Sequence, residues 1–162
     1  LDAAARLPGL PLVVSLVGDG PERAALAART ARLGLGGRVR FHGALPRAGE
    51  VVAAFDVLAL SSRTEGTPMV LFEAIAASVP VVASRVGGVP DVTAEDGALL
   101  VPPGDPAALA AALSRVYRAP GDAFARAAAA RGRLSSLYTL EPWLDAYAAL
   151  YAELRHRAPV PR

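Results

Sequence analysis

The chain has 162 residues, of which 53% are hydrophobic and 20% charged, a composition that predicts a folded globular domain. It contains no cysteine, and its two histidines, His42 and His156, are far apart, so disulfides and a zinc site are not expected. All 17 cationic side chains are arginine, which excludes a Walker-type P-loop and a Schiff-base lysine. Because these arginines are dispersed and the formal charge is only +2, we expect no nucleic-acid partner.

The start of the sequence suggests a piece of a longer protein. The first residue is Leu1, the only methionine is Met69, and the opening LDAAARLPG resembles the tail of a helix. We therefore expect a strand and its loop upstream. No apolar run approaches the ~20 residues that span a bilayer, and no signal peptide is evident. On these grounds we expect a soluble, cytoplasmic domain.

Five short apolar runs alternate with segments of helical composition. We predict strands at residues 12–17, 39–42, 57–60, 80–84 and 98–101, and helices at residues 21–35, 47–55, 68–78 and 105–117, with VGGVPD as a glycine-rich turn. Strands that are apolar on both faces and separated by helices predict a doubly wound, Rossmann-like α/β fold with a parallel sheet flanked by helices. In such sheets, ligands bind at the carboxyl ends of the strands.

The C-terminal part is predicted to be helical and to end in a flexible tail. We assign residues 1–135 to the α/β domain, 136–157 to a C-terminal helix and 158–162 to the tail. Apolar side chains recur at helical spacing at Trp143, Tyr147, Leu150 and Leu154. This stripe predicts a surface that faces either the core or a partner.

The first candidate site is GDGPER, which follows the first predicted strand. Gly18 and Gly20 fit the start of a GxGxxG dinucleotide motif, but the third position is Arg23. No acidic residue stands about 20 positions later to hold a ribose, which disfavours a dinucleotide site. The alternative is a tight glycine turn whose backbone amides lie near a ligand.

The second candidate site is SSRTEGTPMVLFEAIAASVPVV. Thr67 is predicted to cap a helix that begins at Pro68, leaving exposed amides that suit a phosphate. Glu73, five residues beyond Pro68, lies about 7–8 Å along the helix axis and is the only charge in an apolar helix. This offset fits a ribose beside a diphosphate, with Glu65 in the same cleft. The alternative leaves both glutamates structural, with Glu65 capping the helix and Glu73 paired with an arginine.

Five segments in this order, GDGPER, VRFHGALP, FDVLALSSRTEGTPMVLFEAIAASVPVVAS, VGGVPD and GALLVPPGD, resemble the donor-binding C-terminal domain of retaining group 1 glycosyltransferases, glycosyltransferase family 4 with GT-B architecture. The resemblance covers nearly the whole chain. Its most specific element is the E-x7-E pair, Glu65 and Glu73.

The resemblance implies a nucleotide-diphosphate sugar as the ligand and no metal or other cofactor. It implies that Glu65 is the catalytic-site carboxylate that holds hydroxyls of the transferred sugar, and that Glu73 holds the ribose. Donor contacts are further implied for the loops and the helix start, at Gly18, His42, Gly43, Gly66, Thr67, Met69 and Val70. An acceptor-binding N-terminal domain is implied as partner, and peripheral membrane association through that domain is open.

Three departures from the family pattern stand out. Ser61 occupies a position that is often proline, and Asp91 replaces a common glutamate. The family's Arg and Lys diphosphate clamp would precede Leu1, and the chain contains no lysine. We therefore expect this piece alone to lack transferase activity.

Two other functions remain compatible with the same residues. A nucleotide-sugar epimerase or isomerase would keep the nucleotide site but needs an acid and base in the cleft. A non-catalytic α/β binding module would use both glutamates for structure.

Overall fold

The computed structural model describes residues 1–156, with side chains as far as Arg155; the predicted tail at 158–162 lies outside this range. The strands are β1 (Val14–Val17), β2 (Val39–Gly43), β3 (Leu58–Leu60), β4 (Val81–Ser84) and β5 (Leu99–Val101). The helices are α1 (Asp2–Ala5), α2 (Arg23–Arg32), the 3-10 helix η1 (Ala48–Ala54), α3 (Met69–Ala76), α4 (Val89–Thr93), α5 (Pro106–Arg118), α6 (Pro120–Leu137) and α7 (Leu140–His156). The alternation of strands and helices confirms the predicted α/β class.

The strands form two parallel ladders instead of one hydrogen-bonded sheet. β1 pairs with β2, with Val14 opposite Val39. β4 lies between β3 and β5, with Val82 opposite both Ala59 and Leu99. All five predicted strands are therefore present, but in the described part of the chain no ladder joins β1 to β3.

Two local predictions were wrong in the type of element. The segment after GALP forms the 3-10 helix η1, which begins after Arg47 in a left-handed conformation (φ 55°), instead of an α-helix. The glycine-rich turn VGGVPD leads directly into the short helix α4, whose first turn contains Pro90. Proline suits a first helical turn because its missing N–H has no intrahelical partner there.

α3 lies at the centre of the main core. Leu71, Ala74 and Ile75 are almost completely buried, and the helix packs against η1, α6 and β4. The core that these elements share consists of small and branched apolar side chains, namely Val52, Leu71, Ala74, Ile75, Val79, Val81, Ala83, Val89, Val92, Ala98 and Ala130. The mostly apolar composition of α3 follows from contacts on several sides.

α3 ends in a Schellman motif with a serine at the left-handed position. The Val79 amide donates to the Ala74 carbonyl at 2.9 Å, and the Ser78 amide donates to the Ile75 carbonyl at 3.0 Å. Ser78 has φ 58°, a conformation that glycine adopts without the steric cost of a Cβ. The Arg131 guanidinium donates to the Ser78 hydroxyl at 2.9 Å.

α7 exposes its apolar stripe. Trp143 is 53% exposed and Tyr147 is 45% exposed, and their rings contact each other at 4.5 Å between centroids. The stripe therefore does not face the core of the described chain, which leaves the alternative of a partner. None of the helices within the described residues combines the length and apolar character needed to cross a membrane.

We predict that Ser78→Gly raises the free energy of unfolding by up to about 1 kcal/mol, because relief of the steric cost at the left-handed residue exceeds the loss of the exposed hydrogen bond from Arg131. Chemical denaturation of both proteins measures the change. Ser135→Gly, in the last turns of α6, is the control and should lower stability by up to about 1 kcal/mol. A loss in both variants would contradict a steric cost at Ser78.

Candidate functional site

The loop after β3 carries Glu65 and is held by a pair of glycines. The Gly88 amide donates to the Gly66 carbonyl at 2.7 Å. A Cβ on Gly87 would overlap the Glu65 carbonyl oxygen, and one on Gly88 would lie 2.9 Å from the Thr67 hydroxyl oxygen. Only glycine at both positions lets the loop before α4 approach so closely, so this contact sets the position of the Glu65 backbone.

The Glu65 side chain is half-buried and points back into its own loop. The Ser62 hydroxyl donates to Glu65 Oε1 at 2.5 Å. Within residues 1–155 no side chain caps α3, so the alternative in which Glu65 caps this helix was wrong. One carboxylate oxygen of Glu65 has this hydroxyl partner, and the carboxylate retains capacity to accept further hydroxyls.

The predicted cap of α3 was also wrong. Pro68, not Thr67, is the N-cap residue, because its extended backbone (ψ 123°) places it outside the helix. Proline has no side-chain acceptor, so the amides of Met69 and Val70 lack an intrahelical partner and a side-chain cap. Met69 is 68% exposed, Val70 is half-buried, and the Gly66–Thr67 segment before them is exposed. The helix start is therefore an open set of donors with a positive dipole end.

Glu73 lies in the second turn of α3 and is half-buried. No hydrogen bond or ion pair to its carboxylate occurs among the described residues, so the alternative of an arginine partner was wrong. The carboxylate lies close to Gly49 of η1, so that a Cβ added at Gly49 would lie only 2.6 Å from Glu73 Oε1. The Glu73 carboxylate thus packs against the Gly49 backbone and has no hydrogen-bond donor among the described residues. This is the arrangement expected of a carboxylate that accepts hydrogen bonds from a ligand.

Gly18 and Gly43 meet at the carboxyl ends of β1 and β2. The Gly18 amide donates to the Gly43 carbonyl at 2.8 Å, and both residues have positive φ, 122° and 70°. The ladder slips here, since Leu16 is opposite Phe41 but Val17 is opposite Gly43. His42 is the extra residue, and a bulge of this kind re-aims side chains next to sites.

His42 is exposed, and its Nε2 lies 3.1 Å from the Ser15 hydroxyl. The structure thus joins Gly18, His42 and Gly43 in one group and Glu65 to Val70 in another. Gly49, which follows Gly43 by six residues, lies against the Glu73 side chain and so brings the segment after β2 next to α3.

A cleft of about 410 Å³ opens beside the Glu65 loop at the carboxyl ends of β3, β4 and β5. Three arginines line it, namely Arg6, Arg29 and Arg63. Arg29 pairs with Asp2 at 2.7 Å, and this guanidinium lowers the pKa of the Asp2 carboxyl from its usual value. Asp2 and Asp105 also line the cleft, so its three arginines leave a net charge of 3 − 2 = +1 on the lining, which suits an anion. Arg6 and Arg63 have no acidic partner among the described residues.

An ion pair braces the loop that carries Gly87 and Gly88. Arg85, just after β4, makes a two-pronged contact with the Glu95 carboxylate. Arg126 of α6 donates to the Glu95 carbonyl at 3.2 Å. The Arg85 guanidinium lowers the pKa of the Glu95 carboxyl below its usual 4.5.

Sequence reasoning missed Gly49, the Gly87–Gly88 contact and Arg63. The glycine pair was visible only as turn composition, and nothing in the spacing connects residue 49 with residue 73. Arg63 offered a weak signal, since it stands two residues before Glu65 in the same loop.

Residues 1–119 match the family model described as "Glycosyl transferases group 1". The chain is 38% identical over 137 residues to the lipopolysaccharide core biosynthesis glycosyltransferase LpsD of Rhizobium meliloti, covering 84% of this chain and 40% of that protein. Sucrose-phosphate synthase of Thermosynechococcus elongatus superposes with a TM-score of 0.80 at 31% identity, over 94% of this chain and 40% of that one.

HepE of Anabaena superposes with a TM-score of 0.85 at 26% identity, over 94% of this chain and 43% of that one. Its crystal structures include complexes with UDP and with UDP-glucose. The chain described here thus spans about two fifths of the length of these relatives.

This chain belongs to the group 1 glycosyltransferase family. Its fold is the Rossmann-like C-terminal domain of GT-B enzymes, which confirms the predicted fold and the predicted membership of group 1.

We predict that Gly49→Ala and Glu73→Ala are energetically coupled. The added methyl group displaces the Glu73 carboxylate, so Gly49→Ala should destabilise the wild-type background and lose this penalty when residue 73 is alanine. A double-mutant cycle by chemical denaturation should give a coupling of about 0.5–1 kcal/mol. Gly121→Ala, where a Cβ meets nothing within 4 Å, is the control; additive effects for Gly49 would contradict the contact.

We predict that Glu95→Gln destabilises the chain in a pH-dependent way. Because the folded-state pKa of Glu95 is lowered, its stabilising contribution is present above its unfolded value near 4.5 and is lost as pH falls through the folded value. The difference in melting temperature between wild type and variant should therefore be largest at neutral pH and shrink in acid. A difference that is constant from neutral pH to below the folded pKa would contradict this.

Proposed function

We propose that this chain is the donor-binding domain of a retaining, family 4 glycosyltransferase that transfers a sugar from a nucleotide-diphosphate sugar. The observation that carries the proposal is the half-buried carboxylate of Glu73, which has no described protein donor and lies one turn beyond the uncapped start of α3. A carboxylate held in this way is matched by a ligand that brings hydroxyls. Family membership and the UDP complexes of HepE support the same ligand class.

In the proposed complex the diphosphate lies at the start of α3. The amides of Met69 and Val70 and the helix dipole stabilise its negative charge. Arg63 lines the cleft beside the Glu65 loop, has no acidic partner in the described part of the chain, and in this proposal adds a positive charge near the diphosphate. The first-turn amides and Arg63 thus take part of the role that the resemblance gives to the upstream clamp.

The two glutamates bind hydroxyls on either side of that diphosphate. Glu73 accepts hydrogen bonds from the ribose, at an offset of about 7–8 Å from the helix start. Glu65, oriented by the Ser62 hydroxyl, accepts hydrogen bonds from the transferred sugar. Gly18, His42 and Gly43 lie toward the base, where we propose backbone contacts.

In the proposed reaction the bond between the anomeric carbon and the diphosphate oxygen breaks as the acceptor hydroxyl oxygen bonds to that carbon from the same face, and the hydroxyl proton passes to the departing phosphate oxygen. The departing diphosphate gains negative charge, and donors already aimed at its position lower the barrier without reorganising. We propose that these donors serve without a metal. Neither Glu65 nor Glu73 acts as nucleophile, since both are assigned to hydroxyls.

The acceptor site belongs, in this proposal, to an N-terminal domain outside these residues, and the isolated chain lacks transferase activity. We propose that the exposed stripe of α7 packs against that domain. The aromatic stretch formed by Trp143, Tyr147 and Tyr151 suits a protein partner better than an anionic lipid surface, because the helix also carries Glu141 and Asp145. Cytoplasmic location and peripheral membrane association stay predictions.

We predict that Glu73→Gln weakens nucleotide binding about 10–100-fold, which corresponds to losing a hydrogen bond to a charged group. Calorimetric titration of this chain with UDP, GDP and ADP and their sugars measures the change and identifies the base. Glu141→Gln, on α7, is the charge-matched control and should bind as wild type.

Three outcomes would count against the proposal. Equal affinity of wild type and Glu73→Gln, with altered stability, would favour the non-catalytic module. Conversion of a nucleotide sugar to an isomer by the longer protein, with no glycosylated acceptor, would favour an epimerase or isomerase. Failure of wild type to bind any nucleotide would show that the residues of this chain do not suffice for a donor site.

A further inference from the structure

We propose that Arg23 selects the base of the donor nucleotide. Its guanidinium favours uracil and guanine, which carry a carbonyl oxygen on the six-membered ring at the position where cytosine and adenine carry an amino group. The inference rests on the proposed function, since it concerns the base of the nucleotide that is proposed to bind there. Arg23 is the residue of GDGPER that departs from the dinucleotide motif, and the proposed function gives it no role.

The proposed position of the ribose places the base near the end of β2. Gly49 of η1 lies against the Glu73 carboxylate, and residues 44–47 join η1 directly to β2. The diphosphate leaves the ribose toward the start of α3. The base is attached across the ribose ring from the diphosphate, so it points away from α3 and toward the paired glycines Gly18 and Gly43.

The side chain of Arg23 reaches the same point. Arg23 is the first residue of α2, which follows β1, yet its Nη1 lies 3.6 Å from the position that a Cβ on Gly43 would take. Its guanidinium carbon lies 5.8 Å from the centre of the Phe41 ring. Because Gly43 has no side chain, β2 leaves this edge of the guanidinium accessible.

Two contacts hold the Arg23 side chain in this position. Asp19 Oδ1 accepts a hydrogen bond from the Gly20 amide at 2.8 Å, and Asp19 Oδ2 lies 3.5 Å from Arg23 Nη1. The half-buried Phe41 ring supports the guanidinium through a cation–π contact. A side chain that is already held in place loses less conformational entropy when a ligand binds.

The donors of this guanidinium remain available to a ligand. Within residues 1–155 the Arg23 side chain makes no hydrogen bond, and it is 44% exposed. A guanidinium has five N–H donors and no acceptor. It therefore pairs with the carbonyl oxygen of uracil or guanine, whereas the amino group of cytosine or adenine would bring one donor against another.

His42, at the same end of β2, does not provide this selection. Its Nε2 lies 3.1 Å from the Ser15 hydroxyl, and a neutral imidazole presents one donor and one acceptor. An imidazole can therefore pair with either a carbonyl or an amino group. Arg23 is restricted to donation, and this restriction favours it as the residue that distinguishes the two kinds of base.

The test compares UDP with CDP, which differ only in the base. Calorimetric titration of this chain should give at least about 10-fold tighter binding of UDP than of CDP, and GDP should exceed ADP in the same sense. Arg23→Gln should abolish this preference, because an amide can accept from an amino group as well as donate to a carbonyl. Arg32→Gln, in the last turn of the same helix, is the matched control and should keep the preference.

A second variant tests the support of the guanidinium. Asp19→Asn removes the charge that holds Arg23, so the preference for UDP should fall to a value between those of wild type and Arg23→Gln. An unchanged preference in both the Arg23 and the Asp19 variants would overturn the proposal. Equal weakening of UDP and CDP binding by Arg23→Gln would also overturn it, since the guanidinium would then act on the diphosphate.

Glu73→Gln separates this inference from the proposed function. If that variant weakens UDP binding while wild type binds UDP and CDP equally, the donor site stands and the assignment of Arg23 fails. If wild type binds none of the four nucleotides, both the proposed function and the assignment of Arg23 fail.

Discussion

Burial of α3 is the constraint on which the rest of the structure depends. Its residues Leu71, Ala74 and Ile75 fill the space between η1, β4 and α6, and the Schellman motif at Ser78 turns the chain directly into β4. A helix held in this way has no freedom to rotate or slide. Its start therefore presents Met69 and Val70 at the carboxyl edge of the sheet, and its second turn presents Glu73 beside η1.

Close contacts at three glycine residues position the candidate site. Gly49 leaves room for the Glu73 carboxylate, and Gly87 and Gly88 let the loop before α4 touch the backbone of Glu65 and Gly66. These contacts connect the segments that carry Glu65 and Glu73 to the packed core, so the two glutamates hold defined positions. The Arg85–Glu95 pair extends the support, because it braces the loop that carries the two glycines.

The described residues leave two apolar surfaces uncovered, one between the two ladders of the sheet and one along α7. The described residues form a core around α3, yet they leave one groove between strand edges and one aromatic stripe uncovered. Both surfaces are apolar, and the residues that the structure describes close neither of them. The proposed function assigns the stripe to a domain outside these residues.

The sequence by itself determined the α/β class, the five strands and the position of the E-x7-E pair, because apolar runs and helical composition are local properties. It did not determine how those elements meet. Thr67 was predicted to cap α3, but the extended backbone of Pro68 begins the helix one residue later. The structural alternatives, in which Glu65 caps α3 and Glu73 pairs with an arginine, were also wrong, and the division into two ladders was not foreseen. Only the tertiary structure decided these points, since contacts such as that of Gly49 with Glu73 join residues far apart in the chain and depend on packing that no local pattern records.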